Sequence, residues 1–375
     1  MIPALAPDLL FDGERLRPGL ALPLQGDRTG TPVPRASLPA ARPIAGILAP
    51  GFVDLQVNGG GGVLLNQTPT PDGMAAIAAA HRRLGTAAIL PTLITDAPDV
   101  LDRATDAAIA ARGQKGIAGL HLEGPHIALA RRGTHAAAHV RPLDDHTIAL
   151  VRRLRAAGVR VLVTLAPEAC APGQIAALAA TGAIVSIGHS DATAAEVRAA
   201  LAEGASCFTH LFNAMSPLLH RAPGVVGAAL NSHVPAGIIC DGIHVEDDLV
   251  GLAIRARPAP DLMFLVSDAM PTVGGPDRFR LYDMEIRVDH GRLVNTEGSL
   301  AGAHTTMAES VARLVAAVGL PAETALRMAI TIPARVIGAP ELAQIAGRPL
   351  DEIVLLDPEA RFTGLLSDIA ATTAP

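Results

Sequence analysis

The chain has 375 residues, half of them hydrophobic but only 2% aromatic, with 30 basic against 36 acidic side chains and a formal net charge of −6. That length suits one large domain plus a small one, and no apolar stretch approaches the ~20 residues a membrane helix needs. No basic block is present and Lys115 is the sole lysine, which argues against a nucleic-acid partner.

The start, MIPALAPDLL, has no basic segment ahead of an apolar core, and Cys170, Cys207 and Cys240 are scattered. Both features predict a cytoplasmic protein without a signal peptide or a disulfide framework. Residues 1–49 are rich in proline and glycine, with short apolar pieces. From Ile47 onward short apolar runs alternate with alanine-rich segments. The runs are ILAPGFVDLQV, TAAILPTLI, GIAGLHLEG, VRVLVTLAP, AIVSIGHS, ASCFTHLFN, AGIICDGIH and DLMFLVSDA. Segments 72–84, 99–112, 144–157, 174–181 and 193–203 lie between them, several with Asp or Thr near the start and Gly just past the end. Those are helix caps, and continuous apolar runs are how buried parallel strands read. The pattern predicts an α/β fold, a (β/α)8 barrel, with a doubly wound sheet as the alternative. After about Pro340 the chain returns to short strand-like runs.

Six of the runs end in polar residues: Asp54, Gln56 and Asn58; His121 and Glu123; His189 and Ser190; Thr209, His210 and Asn213; Asp241 and His244; Ser267 and Asp268. In a barrel those ends meet on one face, where barrel enzymes place their chemistry. One histidine at a strand end is ordinarily a structural residue; six strands ending this way predict a site. Histidines and carboxylates converging from different strands suit a divalent metal. Glu123, His189 and His210 are the candidate ligands, and Asp268 is left as a base.

Absences narrow the choice. There is no H-E-x-x-H and no H-x-H; the first strand carries the amides Gln56 and Asn58 instead. Lys115 precedes the third run and is badly placed to bridge metals. His135 and His139 stand four apart but have no Glu between them. The glycines at 59–62 lack nucleotide-loop spacing, and without a G-x-S-x-G turn Ser190 is a poor nucleophile.

The stretches PGFVDLQVNG, HLEGPH with RRGTH, SIGHSDAT, THLFNAMSPLLHRAPGVVGAAL, CDGIHV, LVSDAMP and LAGAHTTM resemble the N-acetylglucosamine-6-phosphate deacetylases of the amidohydrolase superfamily. The resemblance runs from Pro50 to about Met307 in the family's order. It implies a metal-dependent barrel over 50–339 and a small β-rich domain from 1–49 and 340–375. Glu123, His189 and His210 match the metal ligands, and Asp268 the catalytic acid/base. His135 matches a residue contacting the substrate's amide carbonyl. Asn213, Ala214, Arg221 and His244 match substrate and phosphate contacts, while Thr134 and the backbone of Leu300, Ala301 and Gly302 match positions lining the sugar. By the same resemblance, Gln56 and Asn58 make the chain look like the single-metal members.

The resemblance implies hydrolysis of N-acetyl-D-glucosamine 6-phosphate in amino-sugar catabolism. One divalent metal per subunit is implied, zinc first, with iron, cobalt or manganese compatible. A homodimer is implied too, with Arg221 reaching the neighbour's site. N-acetylgalactosamine 6-phosphate or another N-acyl substrate is the nearer alternative, and a non-catalytic sugar-phosphate sensor the more distant one. His126, His304 and the stretch RLYDMEIRVDHGRL depart from the family pattern. His121 is expected behind Glu123 as its hydrogen-bond partner, and His126 near the rim of the pocket.

Overall fold

The computed structural model describes residues 4–294 and 300–371. Eight parallel strands pair in chain order: β1 (Phe52–Val57), β2 (Thr86–Ile94), β3 (Leu120–Glu123), β4 (Val161–Leu165), β5 (Ile184–Ile187), β6 (Cys207–Phe208), β7 (Ala236–Ile238) and β8 (Met263–Leu265). A parallel bridge from Val57 to Ala269 brings the end of the series back to β1. The sheet therefore curls into a nearly closed barrel, which removes the doubly wound alternative. Every residue of β1, β2 and β4 is buried, because helices cover one face and the barrel interior the other.

Each strand is followed by a helix: α1 (Pro71–Arg82), α2 (Pro98–Ala110), α3 (Asp145–Ala156), α4 (Gln174–Ala179), α5 (Ala194–Ala202), α6 (Gly224–Leu230), α7 (Asp247–Ala256) and α8 (Met307–Ala316). Their starts are set by side chains. Thr70 accepts from the Gly73 N–H and Asp144 from the Thr147 N–H. Thr193 with Glu196, and Thr306 with Glu309, form reciprocal capping boxes, each satisfying donors that a helix start leaves unpaired.

Two additions frame the barrel. Strand Arg42–Pro50 pairs in parallel with Ala4–Phe11 and antiparallel with Ile353–Leu356, which pairs with Phe362–Leu365. Both ends of the described chain thus share one sheet, with its own apolar cluster that includes Leu5, Leu22, Leu48 and Ile353. Only Gly51 separates this sheet from β1; a Cβ there would stand 2.6 Å from that of Ala87. The other addition follows β8. Strands Arg278–Leu281, Met284–Asp289, Arg292–Val294 and Leu300–Ala303 form an antiparallel sheet. It packs Leu281, Ile286 and Leu293 against Leu64, Ile94 and Met270 at the barrel mouth. Among the described residues no helix is long and apolar enough to cross a membrane.

Candidate active site

The polar residues that end the strands meet at the C-terminal mouth. Oε1 of Glu123, at the end of β3, lies 3.2 Å from Nε2 of His189 and 3.0 Å from Nε2 of His210, and the two imidazole nitrogens are 3.1 Å apart. All three side chains are buried. His189 donates its Nδ1–H to the Arg131 carbonyl at 2.8 Å, so its Nε2 presents a lone pair. Lone pairs from a carboxylate and an imidazole converging on a third ring nitrogen repel unless a positive charge sits among them. A proton on His210 is one solution: burial opposes it, but the hydrogen bond to Glu123 wins and raises the His210 pKa. A cation is the other, and His nitrogen with carboxylate oxygen is a donor set that zinc accepts. Burial also pushes Glu123 up, but His189 and His210 outweigh it and hold the carboxyl well below its usual range. The three residues fit a metal.

Asp268 stands beside this cluster. Its Oδ1 accepts from the Gln56 amide at 3.1 Å and from Asn58 at 2.7 Å. The same Gln56 amide donates to Glu123 Oε1 at 2.9 Å. Two donors therefore fix one oxygen of Asp268, and Oδ2 takes no hydrogen bond among the described residues. Burial, reinforced by the negative charge of Glu123, pushes the Asp268 carboxyl up to about 6. That combination suits a group that takes up and releases a proton near neutrality.

The backbone is strained where these groups sit. His189, His210, Phe212, Ala214 and Asp268 have φ of 47°, 23°, 79°, 52° and 52°, a region costly to residues with a Cβ. Such conformations persist where the surroundings enforce them, and they gather at functional sites. They also explain why β6 is so short: the chain turns out of the sheet at His210.

A cavity of about 220 Å³ opens over the cluster. Thr134, His135, Asn213, Ala214, His244, Leu300 and Gly302 line it together with Glu123, His189, His210 and Asp268. Four polar atoms of its lining residues, Asn58 Oδ1, Thr134 Oγ1, His210 Nδ1 and Asn213 Nδ2, are buried without a partner among the described residues. Buried polar atoms are almost always paired, so these are suited to a ligand or water. His244 is held by Asp241, whose Oδ2 lies 2.6 Å from its Nδ1; the other ring nitrogen is left for the cavity. Burial pushes His135 down to about 3, with His189 adding to the shift, so that ring is neutral.

Two expected residues lie elsewhere. Ala301 is fully buried beneath the lining. Arg221 is on an exposed loop, outside the cavity of its own chain and without a hydrogen bond or ion pair among the described residues. The expectations for the neighbouring histidines need correction. His121 bonds not to Glu123 but to Thr164 at 2.8 Å and Thr92 at 3.3 Å, within a buried hydroxyl network that continues to Thr209 and Ser186. His126 is buried, bound to the Pro142 carbonyl and to Thr147 at 2.9 Å each, and does not reach the rim. His304 pairs with Thr272. His139 lies in a short turn of 3-10 helix, off any helix face shared with His135. Lys115 pairs with Asp351 at the surface, and the Ser190 hydroxyl donates to Glu168.

The model of the amidohydrolase family matches residues 47–371. The chain belongs to the amidohydrolase family. This amidohydrolase is 42% identical, over 87% of its length and 83% of the relative's, to an N-acetylgalactosamine-6-phosphate deacetylase of Shewanella sp. (strain ANA-3). It is 38% identical to the N-acetylglucosamine-6-phosphate deacetylase of Homo sapiens, over 78% and 75% of the two chains. Among solved structures, the N-acetylglucosamine-6-phosphate deacetylase of Pasteurella multocida superposes with a TM-score of 0.88 at 31% identity, covering 96% of this chain and 97% of that one. A mutant of the Mycobacterium smegmatis deacetylase in complex with N-acetyl-D-glucosamine-6-phosphate gives 0.87 at 32% identity over the same shares.

Proposed function

We propose that this amidohydrolase removes the acetyl group of N-acetyl-D-glucosamine 6-phosphate, giving D-glucosamine 6-phosphate and acetate, in cytoplasmic amino-sugar catabolism. The observation that carries the reading is the buried Glu123–His189–His210 cluster beside Asp268, beneath a cavity with unpartnered Thr134 and Asn213. A sensor without chemistry has no need of a carboxylate whose second oxygen is left free. The two relatives described above are sugar-phosphate deacetylases, and the free cysteines agree with a reducing compartment.

Glu123, His189 and His210 would hold the metal. A divalent cation there supplies Lewis acidity toward water and the amide oxygen. Asp268 Oδ2 takes a proton from water as it attacks the acetyl carbonyl, while Gln56 and Asn58 keep Oδ1 in place. His135 donates to the oxygen that gains charge. Asp268 then returns the proton to the departing sugar amine. His244, oriented by Asp241, and Arg221 receive the phosphate, for which a guanidinium offers parallel donors.

Acetate release from N-acetylglucosamine 6-phosphate, its 4-epimer N-acetylgalactosamine 6-phosphate and the unphosphorylated sugars, with and without a chelator, tests the reading. No release from either phosphate by metal-loaded protein would overturn it. The 42% identity to a galactosamine enzyme favours the 4-epimer as a second reading, which a higher kcat/KM for that sugar would establish.

One tightly held metal per chain is expected, with zinc first among zinc, iron, cobalt and manganese. The amide of Gln56 points its N–H groups at both Glu123 and Asp268, and donors so placed repel a second cation between those carboxylates. Elemental analysis that finds two metals per fully active chain would overturn this.

The phosphate contact is expected across a homodimer interface. Arg221 follows Leu218 and Leu219, which are 52% and 55% exposed, an apolar tip suited to a second copy. Arg221→Ala should raise KM for the phosphorylated sugar by roughly ten- to a hundred-fold and leave the unphosphorylated sugar nearly unaffected. Hybrids of Arg221→Ala and Asp268→Asn chains should regain activity, because one of their two sites then has both wild-type residues. Equal effects on both sugars would remove the phosphate assignment, and verified hybrids without rescue would remove the exchange.

A further inference from the structure

Thr95, directly after β2, is fully buried and bonded on every side. Its hydroxyl oxygen is 2.7 Å from Nδ1 of His135, and its backbone N–H donates to the same nitrogen at 3.4 Å. Its carbonyl accepts from the hydroxyl of Tyr282 at 2.6 Å. A backbone N–H only donates. Facing it, Nδ1 must offer a lone pair, and the hydroxyl then has the same acceptor for its own proton. A proton on Nδ1, in either the other tautomer or the imidazolium, would confront the Thr95 N–H head on. The position of the hydroxyl is itself protected: a Cβ on Gly124 would lie 2.3 Å from it.

We infer that Thr95 is a positioning residue that fixes His135 as the Nε2–H tautomer, so that the ring's only N–H is on the edge turned away from Thr95, free for the acetamide oxygen in the cavity His135 lines. A neutral imidazole has one donor, and the hydrogen bond at one nitrogen decides which nitrogen carries it. The opposite tautomer would present a lone pair to an oxygen gaining negative charge. Tyr282 extends the arrangement: it comes from the antiparallel sheet after β8 and holds the Thr95 peptide from the carbonyl side, tying the placement of that sheet to the orientation of His135.

The inference deepens the proposed deacetylation and rests on it for the role of His135, but the tautomer is measured without substrate. Metal-loaded protein labelled with 15N-histidine is compared with His135→Gln to assign the ring. The wild type should show a protonated Nε2 and an unprotonated Nδ1 for His135. Thr95→Val, which loses the hydroxyl but keeps the backbone N–H, should lower kcat about ten-fold, the worth of one hydrogen bond, with KM within about two-fold and the Nδ1 signal of His135 shifted by the loss of one of its two donors. Thr95→Ser should restore both kcat and the signals. A wild-type His135 protonated at Nδ1 would overturn the inference, as would a Thr95→Val enzyme with unchanged kcat. So would a kcat loss without any change in the His135 ring signals, which would mark Thr95 as merely structural. Should Thr95→Val not fold, the wild-type spectrum and Thr95→Ser still decide the tautomer. Wild-type protein that shows Nε2–H yet releases no acetate would instead remove the deacetylase reading and leave the tautomer assignment standing.

Discussion

Replacing Asp268 with asparagine lowers turnover by about 10²–10⁴-fold, the range for loss of a general acid–base group, while metal content and fold stay as in the wild type. The amide is nearly the same size and still accepts from Asn58 and Gln56 through its oxygen. What it lacks is the free carboxylate oxygen, the atom left without a hydrogen bond among the described residues. Acetate release by the purified variant, alongside elemental analysis, checks this; near-normal turnover would assign the proton transfer to another group. The wild-type pH profile adds a second check. A base works deprotonated, so kcat/KM should fall as pH drops through its pKa. Burial and Glu123 set that at about 6, and a cation beside Asp268 would move the acid limb lower. An acid limb well above 6 would contradict the assignment.

Glu123→Ala should abolish activity by releasing the metal. The carboxylate is the only anion in the cluster, and Oε1 is the atom on which His189 and His210 converge. Loss of a group merely supporting a ligand costs about 10–100-fold in metal affinity, so loss of the charged ligand itself should cost more than about 100-fold. Dialysed variant protein should carry almost no metal. Chelation of the wild type should reproduce its inactivity, reversibly on adding the cation back. A variant that retains stoichiometric metal and activity would dissolve the proposed site.

Much of this was legible in the residues, for physical reasons. A strand buried on both faces has no polar alternation, so β1, β2 and β4 stand out as apolar runs, and Thr, Asp and Glu at helix starts mark boundaries because unpaired N–H groups require them. Glu123, His189, His210 and Asp268 were visible for the opposite reason: each interrupts an apolar run where nothing in a core accounts for it. Thr95 was not visible. A threonine ending an apolar strand reads like its buried neighbours, and its partners are 40 residues away at His135 and 187 away at Tyr282. His126 misled because a histidine next to a conspicuous ligand looks functional, yet it satisfies the carbonyl of Pro142 and the hydroxyl of Thr147 instead. The shortness of β6 was hidden too, since a positive φ at His210 leaves no trace in hydropathy.

The hydrogen bond from Tyr282 to Thr95 has an optical consequence. The chain has no tryptophan and a single tyrosine, so its intrinsic ultraviolet fluorescence comes from one phenol, joined through Thr95 to the wall of the cavity. Burial pushes that phenol well above the ordinary tyrosine range, so it stays protonated through the neutral range. A ligand that shifts the sheet after β8 against β2 changes the brightness of one known fluorophore. Rapid-mixing traces of unlabelled enzyme then time that movement separately from acetate release, and Tyr282→Phe, which keeps the ring but loses the emission and the bond, is the built-in blank.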